Sequence, residues 1–93
     1  MFYSKENPGS EKLALGLQKK LNTLYAEEGA KGRSAANGEF FMLSCAACPS
    51  VIVECGFLSN ARDEALLMSE VWQKKLAETL ASGILDYFAD SSA

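Results

Sequence analysis

The sequence predicts an α/β fold in which a small, incomplete mixed sheet is combined with helices. Two observations support this prediction. Leucine-rich segments repeat their apolar residues every three or four positions, and one β-branched apolar run is typical of a buried strand. We expect two strands, at about 40–44 and 50–55, and three helices, at about 10–28, 61–68 and 70–89. Because so few strands are marginally stable in water, we expect them to belong to a larger sheet.

The first predicted helix covers residues 10–28. Four of its five leucines recur at spacings of four, four and three, so these four share one helical face. They are Leu13, Leu17, Leu21 and Leu24. The turn-rich residues before this segment offer Ser10 or Asn7 as a helix cap, and Gly29 is a typical C-terminal stop. The opening residues 1–9 are predicted to form a loop.

The two predicted strands follow a glycine-rich loop. Phe40–Leu43 is a short apolar run, and Val51–Cys55 is β-branched and almost entirely apolar. The connector between them is about six residues long, whereas a parallel crossover needs about a dozen. If the two strands are direct neighbours, we therefore expect them to be antiparallel.

The last two predicted helices each begin at a capping residue. Asn60 precedes the first of them, with Asp63 three positions later as in a capping box, and Ser69 precedes the second. The long final helix carries large apolar residues at strict i, i+4 spacing. They are Trp72, Leu76, Leu80, Ile84 and Phe88.

Composition excludes several classes of function. The 93 residues carry nine Lys+Arg against twelve Asp+Glu, a net charge of −3, and no histidine. We therefore expect no nucleic-acid partner, because such proteins usually present a basic face. No apolar run approaches the ~20 residues of a membrane span, and the first residues lack the pattern of an export signal. Catalysis by Ser-His or Cys-His pairs within these residues is excluded.

Cys45 and Cys48 form a Cys-x-x-Cys motif, and Cys55 is the third cysteine. A thioredoxin-like motif should open a helix, whereas Pro49 and a strand are expected here. A structural zinc site needs four ligands, and the chain offers only these cysteines and no histidine. We interpret the cysteines as small apolar filler, with a redox function ranked last.

Glu54 is the main catalytic candidate. It closes the apolar strand, and Gly56 lies two residues later. Active sites of open α/β sheets lie beyond the carboxyl ends of the strands, and a glutamate there can accept and return a proton. The alternative is a glutamate that simply reaches solvent at the strand end.

Arg33, in the glycine-rich loop, is the candidate substrate-binding residue. Its guanidinium group matches the geometry of a carboxylate. A solvated loop charge is the alternative interpretation.

The segment Pro49–Asn60 closely resembles the signature of zinc-dependent N-acetylmuramoyl-L-alanine amidases of the amidase-3 family. The resemblance extends to the helix from Ser10, to Phe40–Leu43 as the family's short strand, and to the final two helices. It therefore covers nearly the whole chain. The form of the signature is similar to that of the spore-cortex branch, which points to sporulation or germination.

The resemblance implies a peptidoglycan hydrolase that acts in the cell wall, outside the cytoplasm. Such enzymes cleave the amide between N-acetylmuramic acid and the L-alanine of the stem peptide, using zinc-activated water. Glu54 matches the family's general base and acid, whereas the zinc ligands (His, Glu and His) belong to the earlier part of the family domain. We therefore expect residues 1–93 to be the C-terminal portion of one catalytic domain that binds no zinc by itself.

A second interpretation is a non-catalytic remnant that binds cell wall or another protein. The enzyme fragment predicts that Glu54 points into a cleft beside an apolar surface where earlier strands dock. The non-catalytic module predicts a compact monomer or dimer whose apolar faces are covered. Under either of them, an exposed sheet edge offers a route to self-association.

Overall fold

The computed structural model describes residues 1–45 and 47–92 and shows the predicted α/β fold. Ala46, in the predicted connector, and Ala93, in the predicted polar tail, lie outside the described residues. Along the chain the elements are β1 (Phe2–Tyr3), α1 (Ser10–Glu27), β2 (Ala36–Asn37), α2 (Phe41–Cys45), β3 (Val51–Ile52), α3 (Ala61–Leu67) and α4 (Glu70–Ser92).

The strands of the described residues form a mixed sheet in the order β2-β1-β3. β1 pairs in parallel with β2, with Phe2 opposite Ala36, and antiparallel with β3, with Phe2 opposite Ile52. The central strand therefore lies within residues 1–9, which the sequence predicted to be a loop. That prediction was wrong because β1 is defined by pairing with distant residues, which local sequence does not reveal.

The predicted strand at 40–44 was also wrong, because this segment forms the short helix α2. The carbonyl of Phe40 accepts hydrogen bonds from the amides of Leu43 (3.0 Å) and Ser44 (3.2 Å), which closes a helical turn. Within the apolar run, Leu43 is buried, whereas Phe41 is 83% exposed and Met42 is 71% exposed. One buried residue per turn fits a helix and not a buried strand. The pairing strand β2 lies a few residues earlier.

The predicted strand at 50–55 is confirmed in place but is shorter than expected. Only Val51 and Ile52 pair, because the partner strand β1 is itself two residues long. Val53 remains partly buried against the core, and the chain then becomes exposed at Glu54.

The core lies between α1, α4 and one side of the sheet. Its apolar side chains come mainly from α1, and Trp72 and Leu76 are contributed by α4. The α1 members are Ala14, Leu17, Leu21, Leu24 and Tyr25. Gly29 has a φ of +69° just after α1, and the amide of Ala30 donates to the Tyr25 carbonyl at 2.8 Å. Gly29 thus ends α1 as predicted.

The buried face of α4 follows only the first part of the i, i+4 line of apolar residues. Trp72 is 3% exposed and Leu76 6%, but Ile84 is 42% exposed and Phe88 61%. Each i+4 step turns about 40° beyond a full turn, so a strict i+4 line leaves the contact face after a few steps. The contact continues instead through Gly83, which lies against Leu17.

Two predicted caps are confirmed. The side chain of Asn60 accepts from the amides of Arg62 and Asp63, and the Ser69 hydroxyl accepts from the amide of Trp72. For α1 the cap is Gly9, with no side-chain hydrogen bond, and the buried Ser10 hydroxyl accepts instead from the Ser50 amide. Among the residues described, no helix combines the length and apolar composition that a membrane span requires.

Candidate active site

Glu54 lies at the exposed end of the segment that contains β3. The strand leaves the sheet after Ile52, and Val53 is the last residue packed on the core. In the described part of the chain, no hydrogen bond or ion pair engages the Glu54 carboxylate. The carboxylate is therefore available to a substrate, as a general base or acid at this position requires.

The loop that follows Glu54 is held by Asp63. The Asp63 carboxylate accepts a hydrogen bond from the backbone amide of Phe57, with an N–O distance of 3.0 Å. Gly56 adopts a φ of +154°, and a side chain there would lie 3.3 Å from the Asp63 Cβ. Glycine thus permits both the backbone conformation and the close approach of Asp63.

The same carboxylate oxygen pairs with Arg33. Nη2 of Arg33 lies 3.3 Å from Oδ2 of Asp63, and the two side chains are 31% and 20% exposed. The Arg33 guanidinium carbon also lies 5.5 Å from the ring centre of Tyr25 and 5.3 Å from that of Phe57. The candidate substrate-binding cation therefore joins Asp63, the aromatic rings and the loop after Glu54 in one cluster.

Asn22 of α1 holds the backbone of Arg33. Its amide nitrogen donates to the Arg33 carbonyl and its oxygen accepts from the Arg33 amide, both at 2.8 Å. Gln18 donates a further hydrogen bond to the same oxygen at 3.0 Å. The glycine-rich loop is thus fixed to α1 at the residue whose side chain reaches Asp63.

Tyr25 forms the buried wall of this cluster. Burial raises the pKa of its hydroxyl above the ordinary value, while the nearby Arg33 guanidinium acts in the opposite direction. Cys55 and Asp63 add smaller effects that raise this pKa.

All three cysteines are exposed and free. The interpretation of Cys45, Cys48 and Cys55 as apolar filler was therefore wrong. The connector instead turns its polar backbone inward, where the buried Asn7 amide donates to the carbonyls of Leu43 (3.0 Å) and Cys48 (2.9 Å).

The donor set does not fit a resident zinc ion. Across residues 1–45 and 47–92 there is no group of three or more His, Cys, Asp or Glu side chains that could hold a metal. The complete sequence also has no histidine.

Three contributors to the cluster were missed by the sequence analysis. Asp63 was assigned to a capping box, but its carboxylate binds the Phe57 amide and Arg33. Asn22 and Tyr25 were not singled out. The one available signal was a polar residue, Asn22, beside the apolar face of α1, and its partner 11 positions away could not be inferred from spacing.

Comparisons with known proteins agree with the resemblance noted from the signature. A family model described as N-acetylmuramoyl-L-alanine amidase matches residues 1–86. The chain is 36% identical, over 90% of its length, to an uncharacterised cell wall amidase of Bacillus anthracis, covering 16% of that protein. It is 30% identical, over 96% of its length, to the germination-specific N-acetylmuramoyl-L-alanine amidase of Bacillus subtilis, covering 37% of it.

A third relative is the uncharacterised protein YqiI of Bacillus subtilis, with 30% identity over 89% of this chain and 39% of YqiI. The chain thus spans less than two fifths of each of these three relatives. No solved structure matches significantly. The family match covers nearly all of the chain, and the chain therefore belongs to the N-acetylmuramoyl-L-alanine amidase family.

Proposed function

We propose that residues 1–93 form the C-terminal portion of a peptidoglycan amidase domain, in which Glu54 is the general base and acid. The observation that carries the proposal is the family match over residues 1–86, which includes the signature around Glu54. The exposed position of the Glu54 carboxylate, beside a loop anchored by Asp63, supports this role.

In the proposed reaction, the amide between N-acetylmuramic acid and L-alanine is hydrolysed. Glu54 takes a proton from the attacking water as the water oxygen bonds to the carbonyl carbon. The carbon–nitrogen bond then breaks, the nitrogen keeps the bonding electrons, and Glu54 returns the proton to it. The products are a lactyl carboxylic acid on the sugar, which then ionises in water, and the free amine of L-alanine.

Arg33 is proposed to bind the substrate. Its guanidinium retains donors beyond the one directed at Asp63, and its side chain is 31% exposed. Carboxylates of the stem peptide are suitable partners for those donors.

The remainder of the domain is proposed to pack against this chain and to supply the zinc ligands of the family. The chain corresponds to 39% of YqiI, so most of that relative has no counterpart here. Several large apolar side chains are also exposed on the described surface, including Phe41, Leu58 (70%) and Leu85 (69%). The proposal assigns these side chains to the surface that packs against the rest of the domain. The location proposed for the whole protein is the cell wall, outside the cytoplasm.

The experiment uses the complete translation product of the reading frame that contains residues 1–93. The purified protein is incubated with peptidoglycan and zinc, and the products are identified by mass spectrometry. We expect stem peptides with a free N-terminal L-alanine. Cleavage at another bond, or no cleavage by the folded protein, would overturn the proposal.

The second candidate is a non-catalytic module that binds cell wall or another protein, by itself or as a self-associated form. This candidate needs none of the zinc ligands that the first proposal assigns to the remainder of the domain. This candidate predicts sedimentation of the complete product with peptidoglycan, or a dimer in solution, without release of peptides.

A further inference from the structure

We propose that Asp63 is a positioning residue for the amidase reaction, holding both the loop after Glu54 and the Arg33 side chain. This inference rests on the proposed function of Glu54. Asp63 acts through the Phe57 amide and the Arg33 side chain. In the described part of the chain, no contact joins its carboxylate to that of Glu54.

Asp63 is well placed for this role by the helix that carries it. It lies in the first turn of α3, where its backbone amide donates a hydrogen bond to Oδ1 of Asn60 at 3.1 Å. The Asn60 side chain thus accepts hydrogen bonds from the backbone amides at the start of α3. The Asp63 carboxylate is then directed toward the preceding loop. The hydrogen bond from the Phe57 amide to Oδ2 of Asp63 consequently closes a loop over residues 57–63, which begins three residues after Glu54.

The second partner of Asp63 comes from a different part of the chain. Arg33 is 30 residues away in sequence, and its backbone is fixed to α1 through Asn22. Its guanidinium carbon lies 5.3 Å from the ring centre of Phe57, the residue whose amide Asp63 binds. Asp63 therefore ties the loop after Glu54 to α1 through Arg33, and this tie fixes the catalytic and the substrate-binding side chains relative to each other.

Gly56 provides an independent sign of this close fit. A Cβ at this position would lie 3.3 to 3.4 Å from three Asp63 atoms, tighter than ordinary packing, and its φ of +154° disfavours other residues. The backbone two residues after Glu54 is thus shaped to accept the Asp63 side chain.

The test compares Asp63→Ala with Glu64→Ala in the complete translation product. Glu64 is the neighbouring acid in the same helical turn and is exposed, so its removal controls for lost negative charge at the N-terminus of α3. We expect Asp63→Ala to lower kcat about 100-fold, the typical effect of displacing a catalytic group by ~1 Å. Glu64→Ala should change kcat less than about twofold, the range of an ordinary surface substitution.

Three further measurements distinguish a positioning role of Asp63 from a purely structural one. The kcat values are normalised to the folded fraction measured by circular dichroism. Hydrogen exchange at the Phe57 amide should accelerate in Asp63→Ala and not in Glu64→Ala. Asp63→Asn, which keeps an acceptor for that amide, should restore most of kcat.

Failure of this inference is distinct from failure of the proposed function. If Glu54→Gln retains normal turnover, the proposed function is wrong whatever Asp63 does. If Glu54→Gln is inactive while folded Asp63→Ala keeps wild-type kcat, or if the Phe57 amide exchanges at an unchanged rate, the positioning role is refuted.

Discussion

The close approach of α1 and α4 can be tested by the same substitution at two glycines. Gly83 in α4 is buried, and a methyl group added there would overlap the Leu17 side chain. Leu17 is 2% exposed and cannot move into solvent. Gly16 in α1 is the matched control, because an added methyl would meet nothing within 4 Å.

The expected free-energy changes differ in sign. Alanine is favoured over glycine in a helix interior by about 0.8–1.0 kcal/mol, so Gly16→Ala should stabilise the chain by roughly that amount. At Gly83 the same gain is opposed by an overpacking cost of about 1–3 kcal/mol. The net effect there should lie between about 0 and 2 kcal/mol of destabilisation.

Urea unfolding followed by circular dichroism at fixed protein concentration measures both changes. The Gly16→Ala midpoint should rise and the Gly83→Ala midpoint should stay level or fall, with slopes that stay equal. In a Leu17→Ala background the cost of Gly83→Ala should shrink, because the added methyl then has space. If Gly83→Ala stabilises the chain as much as Gly16→Ala does, the described packing of α4 on α1 is incorrect.

Two other predictions concern the cluster around Arg33. Asn22→Ala should destabilise the chain by about 2 kcal/mol in urea unfolding, because the amide and carbonyl of Arg33 lose their hydrogen-bond partners. Substitution of the exposed Thr23 by alanine, in the same helix, is the control. A loss no larger than that of Thr23→Ala would contradict it. Burial raises the pKa of Tyr25, so the folded chain holds its phenolic proton more tightly, and the associated stability is lost as the pH rises above 10. Tyr25→Phe should make the urea midpoint fall less steeply between about pH 9 and 11, and an unchanged slope would exclude this linkage.

The sequence predicted the long helices well because their signals are local. The leucine spacing of α1 and the stop at Gly29 placed that helix at 10–28, against Ser10–Glu27 in the structure. Asn60 and Ser69 likewise marked the starts of α3 and α4. Capping and periodicity depend on neighbours within about one helical turn, which the sequence shows directly.

The sheet was predicted less well because its pairing is not local. Phe2–Tyr3 becomes the central strand only through partners near residues 36 and 52. The run Phe40–Leu43 consists of consecutive apolar residues, and such a run does not distinguish a short helix from a buried strand. In the structure only Leu43 of this run is buried, which is the pattern of a short helix and not of a buried strand.

The candidate site was predicted in part. The place of Glu54 at the end of an apolar strand followed from the sequence, and the family signature gave it a role. The contacts of Arg33 with Asp63 and Asn22 span 30 and 11 residues, so no motif spacing could reveal them. The sequence identified Arg33 only as a cation that could bind a carboxylate. The fold shows that Arg33 forms an ion pair with the carboxylate of Asp63.

The most direct test of the central claim is turnover by Glu54→Gln in the complete translation product, beside Glu64→Gln as a matched exposed control. The substitution keeps the size of the side chain and removes its ability to take a proton. We expect Glu54→Gln to bind peptidoglycan normally and to release stem peptides at least about 100-fold more slowly, the contribution typical of a general base. Release at the rate of wild type and Glu64→Gln would contradict the assignment of Glu54.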